Sequence, residues 1–184
     1  MKRLGWIALA LVFSLLSTLL VAWPDLLELR RGKNWNVTRI EGASGELAGV
    51  TVSVDQARVM VLPELPDRAV LYLRMGLQGD AQRMRDWLAC DLGLTDDQGR
   101  VWRPLMNVVG LQVIDLLGDE GDTDNSCDQS RILAPEDGSP SMSVQAFLVP
   151  VDVLGKLRLR ISGMTTRPDA LSLPIRPVLR PPPE

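Results

Sequence analysis

Hydrophobic positions along this chain follow one spacing after another, and each spacing predicts a different element. From Leu4 to Trp23 the chain reads LGWIALALVFSLLSTLLVAW, without a charge and behind the basic pair Lys2-Arg3. At about 1.5 Å of rise per residue a helix of this length reaches roughly 30 Å, the thickness of a bilayer's hydrocarbon core. From Val50 onward apolar residues recur at every second position, the mark of half-buried strands. After Arg167 they thin out between prolines.

The apolar run predicts a membrane anchor. A cleaved signal peptide shares its basic start, but such peptides carry an apolar core of only about 7–15 residues. Leu20 is also too large for the position two residues before a cut at Ala22. Trp6 and Trp23 sit near the two ends, where amphipathic rings favour the membrane interface. No polar stripe marks one face, which argues against a buried soluble helix. Orientation is not decided by the flanks, because Arg30, Arg31 and Lys33 nearly balance Lys2 and Arg3. Pro24 to Arg31 predicts a turn or two of helix at the membrane surface, with Leu26, Leu27 and Leu29 near lipid.

The strand pattern is clearest from Val50 to Ile161. Val50, Val52 and Val54 alternate with Thr51, Ser53 and Asp55, and Val59 to Leu62 continues the run. Arg68 to Leu77 places Leu71, Leu73, Met75 and Leu77 on one face and Val70, Tyr72 and Arg74 on the other. Asp80 to Trp87 predicts a short helix with Asp80 as N-cap and Met84, Trp87 and Leu88 on a common face. Leu88 to Leu94, the turn Thr95-Asp96-Asp97-Gln98-Gly99 and Arg100 to Trp102 predict strand, turn and strand. Further strands are expected at Val108–Leu117, Ser143–Val149 and Leu157–Ile161, with loops at Gly118–Arg131 and Pro135–Ser141. One more strand is expected from Trp35 to Glu41. Short strands separated by Gly, Pro and Asp turns predict a mainly β chain folded as a sandwich, with a closed barrel as the alternative. The prolines after Arg167 predict a tail or an edge strand.

The expected organisation is therefore 1–3 on the cytoplasmic side, 4–23 as transmembrane signal-anchor, 24–49 as juxtamembrane linker, 50–166 as β-sandwich domain and 167–184 as Pro-rich tail. Cys90 and Cys127, the only cysteines, lack metal-type spacing. A disulfide between them would persist in an oxidising compartment. This places the domain outside the cytoplasm, on a single-pass protein of the inner membrane. The net charge of −3 and the dispersed arginines leave no basic face for nucleic acid.

The stretch Leu88 to Pro104, LACDLGLTDDQGRVWRP, resembles the strand–D-x-x-G-R–aromatic hairpin of telokin-like extracellular domains of unknown function. Phe147-Leu148-Val149-Pro150 with Leu157-Arg158-Leu159 is similar to their closing strands. The resemblance implies an immunoglobulin-like sandwich behind a lipoprotein signal or membrane anchor, and it carries over no active site. This chain departs from the pattern in having no lipobox cysteine near residue 20 and in carrying the Cys90/Cys127 pair.

Chemistry follows by elimination. The absence of histidine removes Ser-His-Asp triads, Cys-His nucleophiles and His-ligated zinc. Lys33 and Lys156, the only lysines past the N-terminus, sit in no Ser-Lys motif. Asp96 and Asp97 are adjacent in a turn and point apart. No glycine-rich phosphate loop follows a strand. The acidic loop Asp119-Glu120-Gly121-Asp122-Thr123-Asp124-Asn125 offers Asp119, Asp122 and Asp124 as weak candidates for a hard cation such as calcium, although it lacks an EF-hand's glycine and terminal glutamate. Asn36-Val37-Thr38 matches a glycosylation sequon. Trp87 and Trp102 are candidates for stacking on a sugar ring. No cofactor and no enzymatic activity are expected. The expected function is a non-catalytic binding module that docks an envelope protein partner, with a small-ligand or carbohydrate-binding sandwich as the alternative. An enzyme with a dispersed Asp/Glu/Arg site ranks below both. An exposed Trp beside a groove would favour a ligand, whereas an exposed strand edge or apolar patch would favour a protein.

Overall fold

The computed structural model describes residues 2–31, 36–122 and 125–181. The uncharged N-terminal run lies within one helix, α1 (Lys2–Arg31). Its segment Gly5–Trp23 is long and apolar enough to cross a membrane, and none of that segment is buried against the rest of the protein. Trp6, Leu11, Phe13, Leu15 and Leu20 are exposed, which is costly in water and suits an apolar surrounding.

The rest of the chain is mainly β and stacks two sheets. In chain order the elements are β1 (Asn36–Arg39), β2 (Ser44–Leu47), β3 (Val50–Leu62), β4 (Leu65–Gly79), α2 (Ala81–Asp86), β5 (Cys90–Thr95), β6 (Val101–Trp102), α3 (Asn107–Leu117), α4 (Cys127–Ile132), β7 (Ser141–Pro150), a 3₁₀ turn (Val151–Lys156), β8 (Arg158–Gly163), β9 (Asp169–Pro174) and β10 (Val178–Leu179). One sheet runs β1-β9-β8-β5-β6; the other runs β10-β3-β4-β7, with β2 also on β3. All pairings are antiparallel except β1 with β9 and β10 with β3.

Alternation along the strands builds the core between the sheets. Leu71, Leu73, Met75 and Leu77 of β4 and Phe147 and Val149 of β7 meet Leu94, Leu159, Ile161, Leu171 and Leu173 of the opposite sheet. In β3 the register shifts between Val54 and Gln56. This bulge at Asp55 moves the inward set from Val50 and Val52 to Ala57 and Val59. It also turns Arg58 and Met60 to the outer face.

That outer face is not left to solvent. Met60, Val70, Tyr72, Val144 and Ala146 pack against Val113, Ile114 and Leu117 of α3 as a second apolar cluster. The fold is a sandwich with a helix laid over one of its sheets.

Several sequence expectations are corrected. Val108–Leu117 is helix, not strand: its buried positions Gly110, Val113, Ile114 and Leu117 follow the three-and-four spacing of one helix face. The expected linker 24–49 holds helix up to Arg31 as its sequence predicts, continuous with α1, but it ends with β1 and β2, which join different sheets. Of the strand expected from Trp35 to Glu41, Asn36–Arg39 forms, and Trp35 lies outside the described residues. The Pro-rich segment 167–184 is not simply a tail or an edge. β9 lies inside its sheet between β1 and β8, because Pro168 precedes the strand and Pro174 ends it. Its interior residues Ala170, Leu171, Ser172 and Leu173 are buried. The loop expected from Gly118 to Arg131 contains the start of α4.

Candidate functional site

Asp119 and Asp122 follow α3 directly, and the structure brings them together, but around arginines. Arg58, turned outward by the β3 bulge, donates to the Leu117 carbonyl at 2.7 Å and to Asp119 Oδ1 at 2.5 Å. Arg74 donates through Nε to Asp55 Oδ2 at 2.7 Å and through Nη1 to Asp119 and Asp122, each at 3.3 Å. The Tyr72 hydroxyl donates to Asp122 Oδ2, and the Asp119 amide donates to the same oxygen at 2.7 Å. The Arg58 guanidinium also sits 5.8 Å from the Tyr72 ring centroid, within cation–π range.

Burial pushes the Asp122 carboxyl up, but the Tyr72 hydroxyl, the Asp119 amide and Arg74 outweigh it and hold the carboxyl below its usual range. The same burial, with the Asp122 hydrogen bond next, pushes the Tyr72 phenol well above its usual value. The cluster thus pins the C-terminal end of α3 to the sheet. The cation expectation at Asp119 and Asp122 is corrected: their oxygens face guanidinium and hydroxyl donors, and hard cations need oxygens free of such partners. Asp124 lies outside the described residues. Among the described residues no group of three or more His, Cys, Asp or Glu side chains is placed to hold a metal ion.

Cys90 at the start of β5 and Cys127 at the start of α4 come to disulfide distance, with Cα atoms 6.0 Å apart. Nearby, Asp128 accepts from the Cys90 amide at 3.0 Å and from Arg131 Nε at 2.8 Å. Asp96 is a turn residue: it accepts from the amides of Gln98 and Arg100 and from Arg100 Nε at 2.7 Å. Asp97, its neighbour, pairs with Lys156 at 3.3 Å. The Asn36 amide of the sequon donates to Asp169 at 2.9 Å.

The two tryptophan candidates are corrected. Trp87 is 2% exposed and belongs to the core. Trp102 is half-buried against the core, and its ring is covered by Arg100, 5.4 Å from the centroid. Trp87 therefore has no ring face for a sugar, and Arg100 occupies one face of Trp102. A cleft of about 340 Å³ opens between Glu41, Asp55, Gln56 and Arg176, and another of about 400 Å³ lies between Arg58, Met60, Leu116 and Arg180.

The largest feature that strand-based reading missed is the outer side of α3. Met106, Val108, Val109, Leu111 and Leu116 are all exposed there, Met106 at 74%. A single exposed leucine is ordinary, but a row of apolar side chains on one helix is not. Asp115 and Glu120 are exposed beside it. Helical spacing would have revealed this surface; Val and Ile content concealed it.

No family model matches the chain, and no curated protein matches it. Among solved structures it is similar to a "putative lipoprotein" from Staphylococcus aureus subsp. aureus NCTC 8325, at 9% identity and a TM-score of 0.44, over 77% of this chain and 95% of that one. It is also similar to the yjhA protein from Bacillus subtilis, at 11% identity and a TM-score of 0.42, over 74% of this chain and 100% of that one.

Proposed function

We propose that the protein is an inner-membrane-anchored, immunoglobulin-like module that acts outside the cytoplasm by binding an envelope protein, without catalysis. The observation that carries this reading is the apolar outer side of α3, Met106 to Leu116. Gln112 and Asp115 interrupt that side and Glu120 follows it, which suits a protein whose apolar patch carries a basic group. The carbohydrate alternative has less support, since Trp87 is core and Arg100 occupies one face of Trp102.

The anchor reading is supported by the exposed apolar length of α1. Strand order supports the immunoglobulin-like reading. β3-β4-β7 and β6-β5-β8-β9 correspond to the A-B-E and C′-C-F-G sheets of such sandwiches. The paired cysteines support an oxidising compartment. Protease added to intact spheroplasts is expected to digest the domain; protection would overturn the orientation.

For the binding role, a photo-crosslinker at Val109 in the full-length protein is expected to give one discrete protein adduct in cells. Leu116→Arg on the same side should abolish it, and a crosslinker at Asp97 should give none. Equal, diffuse labelling from both positions would remove the case for α3 as a docking surface.

A further inference from the structure

The end of the sandwich at which the chain enters from α1 differs from the opposite end. Asn36, the first residue of β1, pairs with Asp169, and its amide donates to the Pro168 carbonyl at 3.2 Å. The chain therefore enters beside the turn between β8 and β9. Gly163, where β8 reaches that turn, pairs with Cys90, so α2, Leu88 and α4 lie at this end as well.

Four large apolar side chains are exposed there: Leu88 at 57%, Ile132 at 53%, Leu133 at 70% and Met164 at 56%. Leu88 and Met164 adjoin each other, and α4, at whose end Ile132 and Leu133 stand, packs against α2 just before Leu88. The Met164 amide donates to the carbonyls of Trp87 and Ala89, on both sides of Leu88, at 2.9 and 2.8 Å. The Arg85 carbonyl accepts from the Leu88 amide at 3.1 Å and from Arg131 at 3.3 Å, which brings the end of α4 against the same loop. Leu88 also has φ of +58°. That backbone favours Gly or Asn, yet the chain places an exposed leucine there. At the opposite end the exposed turn residues include Glu64, Asp67, Asp97, Asp152 and Lys156, with Leu65 exposed among them.

We infer that Leu88, Ile132, Leu133 and Met164 form a lipid-contacting face by which the domain rests on the bilayer that holds α1. The inference rests on the proposed anchor. Four residues separate Arg31 from Asn36, so these two positions lie no more than about 19 Å apart, five Cα–Cα steps. α1 continues from Trp23 to Arg31, about 12 Å of helix beyond the apolar span. The β1 end therefore stays within about 31 Å of the hydrocarbon edge, where a high effective concentration makes even a weak contact persistent. Arg83 and Arg85 are interspersed with Asp80 and Asp86 around the face, so the contact is apolar and does not require anionic lipid. Resting on this end leaves α3 to a protein partner.

The test uses the full chain in phosphatidylcholine vesicles that carry a diazirine on one acyl chain, with adducts mapped by mass spectrometry. Adducts are expected on Gly5–Trp23 and on Leu88, Ile132, Leu133 and Met164, and not on residues 63–67, 97–99 or 152–156. The double substitution Leu88→Glu with Leu133→Glu should remove the Met164 adducts and leave those on α1. Adducts confined to α1, adducts at both ends of the domain, or adducts on Val108 and Val109 in place of the four residues would each overturn the inference while the anchor stands. A chain unlabelled in α1 would overturn the anchor reading itself.

Discussion

Tyr72 is the only tyrosine in the chain, so its ionisation can be followed by absorbance against tryptophan alone. Its hydroxyl is held by Asp122, and burial together with that bond raises its pKa. A raised phenol pKa contributes stability that is complete below about pH 10, the unfolded value, and is lost as pH rises through the folded one. The Asp122 carboxyl has the opposite linkage. Its folded pKa is depressed, so its contribution is present above about pH 4 and is lost as pH falls through the depressed value. Substituting Asp122→Ala leaves the Tyr72 hydroxyl without its acceptor and removes one partner of Arg74. The expected cost is about 2 kcal/mol, the scale for a hydrogen bond to a charged group. In that variant Tyr72 should also titrate at lower pH, while burial keeps it above the model-peptide value. A phenol that titrates identically in both proteins would show that Asp122 does not hold it.

At the scale of elements, α3 tests whether a helix can be seated through a missing side chain. Gly110 is buried in its middle, and a Cβ there would stand 2.7 Å from the Leu105 carbonyl oxygen. Replacing glycine by alanine inside a helix ordinarily stabilises by about 0.5–1 kcal/mol. Here the sign should reverse: Gly110→Ala is expected to lose about 1–2 kcal/mol through overpacking, read as a lower denaturant midpoint. A gain in stability would mean that the segment from Leu105 moves aside freely. The same helix shows where the sequence was hard to read. Its buried set, Gly110, Val113, Ile114 and Leu117, has helical spacing, but Val108, Val109, Leu111 and Leu116 on the other side are apolar too and only Gln112 and Asp115 interrupt them, so the polar stripe is too short to mark the period. Met106 stands at its N-cap and supplies no capping hydrogen bond, so the usual start signal is also missing. By contrast, α2 was legible because Asp80 accepts from the Gln82 and Arg83 amides. The faces of β4 were legible because both carry clean alternation, although the second face turned out to lie under α3. β9 was obscured by prolines that bound the strand without interrupting it. The Arg58–Asp119 pair depends on a bulge, and 61 positions separate its partners, so no local pattern announces it.

The whole molecule depends on how the long excursion between β6 and β7 is fastened, because among its described residues it holds α3 and α4 but no strand. One end is fixed where the Leu105 amide donates to the Ala146 carbonyl at 2.7 Å and where Arg58 and Tyr72 grip the residues after α3. The other end is fixed by Cys127, which meets Cys90 and so links α4 to the sheet opposite the one α3 covers. The cysteines are 37 positions apart, and a bridge closing a loop of that length stabilises by about 4 kcal/mol in the chain-entropy model. Protein isolated without reductant should therefore take up no thiol-alkylating reagent. Reduction, or the double substitution Cys90→Ala with Cys127→Ala, should lower the melting temperature substantially. The lowered transition should remain cooperative, because α4 keeps the Ser130 bond to the Met142 carbonyl at 2.7 Å and the Arg131 bond to Arg85. Two alkylatable thiols in freshly isolated protein would remove both this contribution to stability and the chemical argument for placing the domain in an oxidising compartment. The apolar character of α1 would be untouched, so membrane attachment and the side on which the sandwich lies are separable questions, and thiol state bears only on the second.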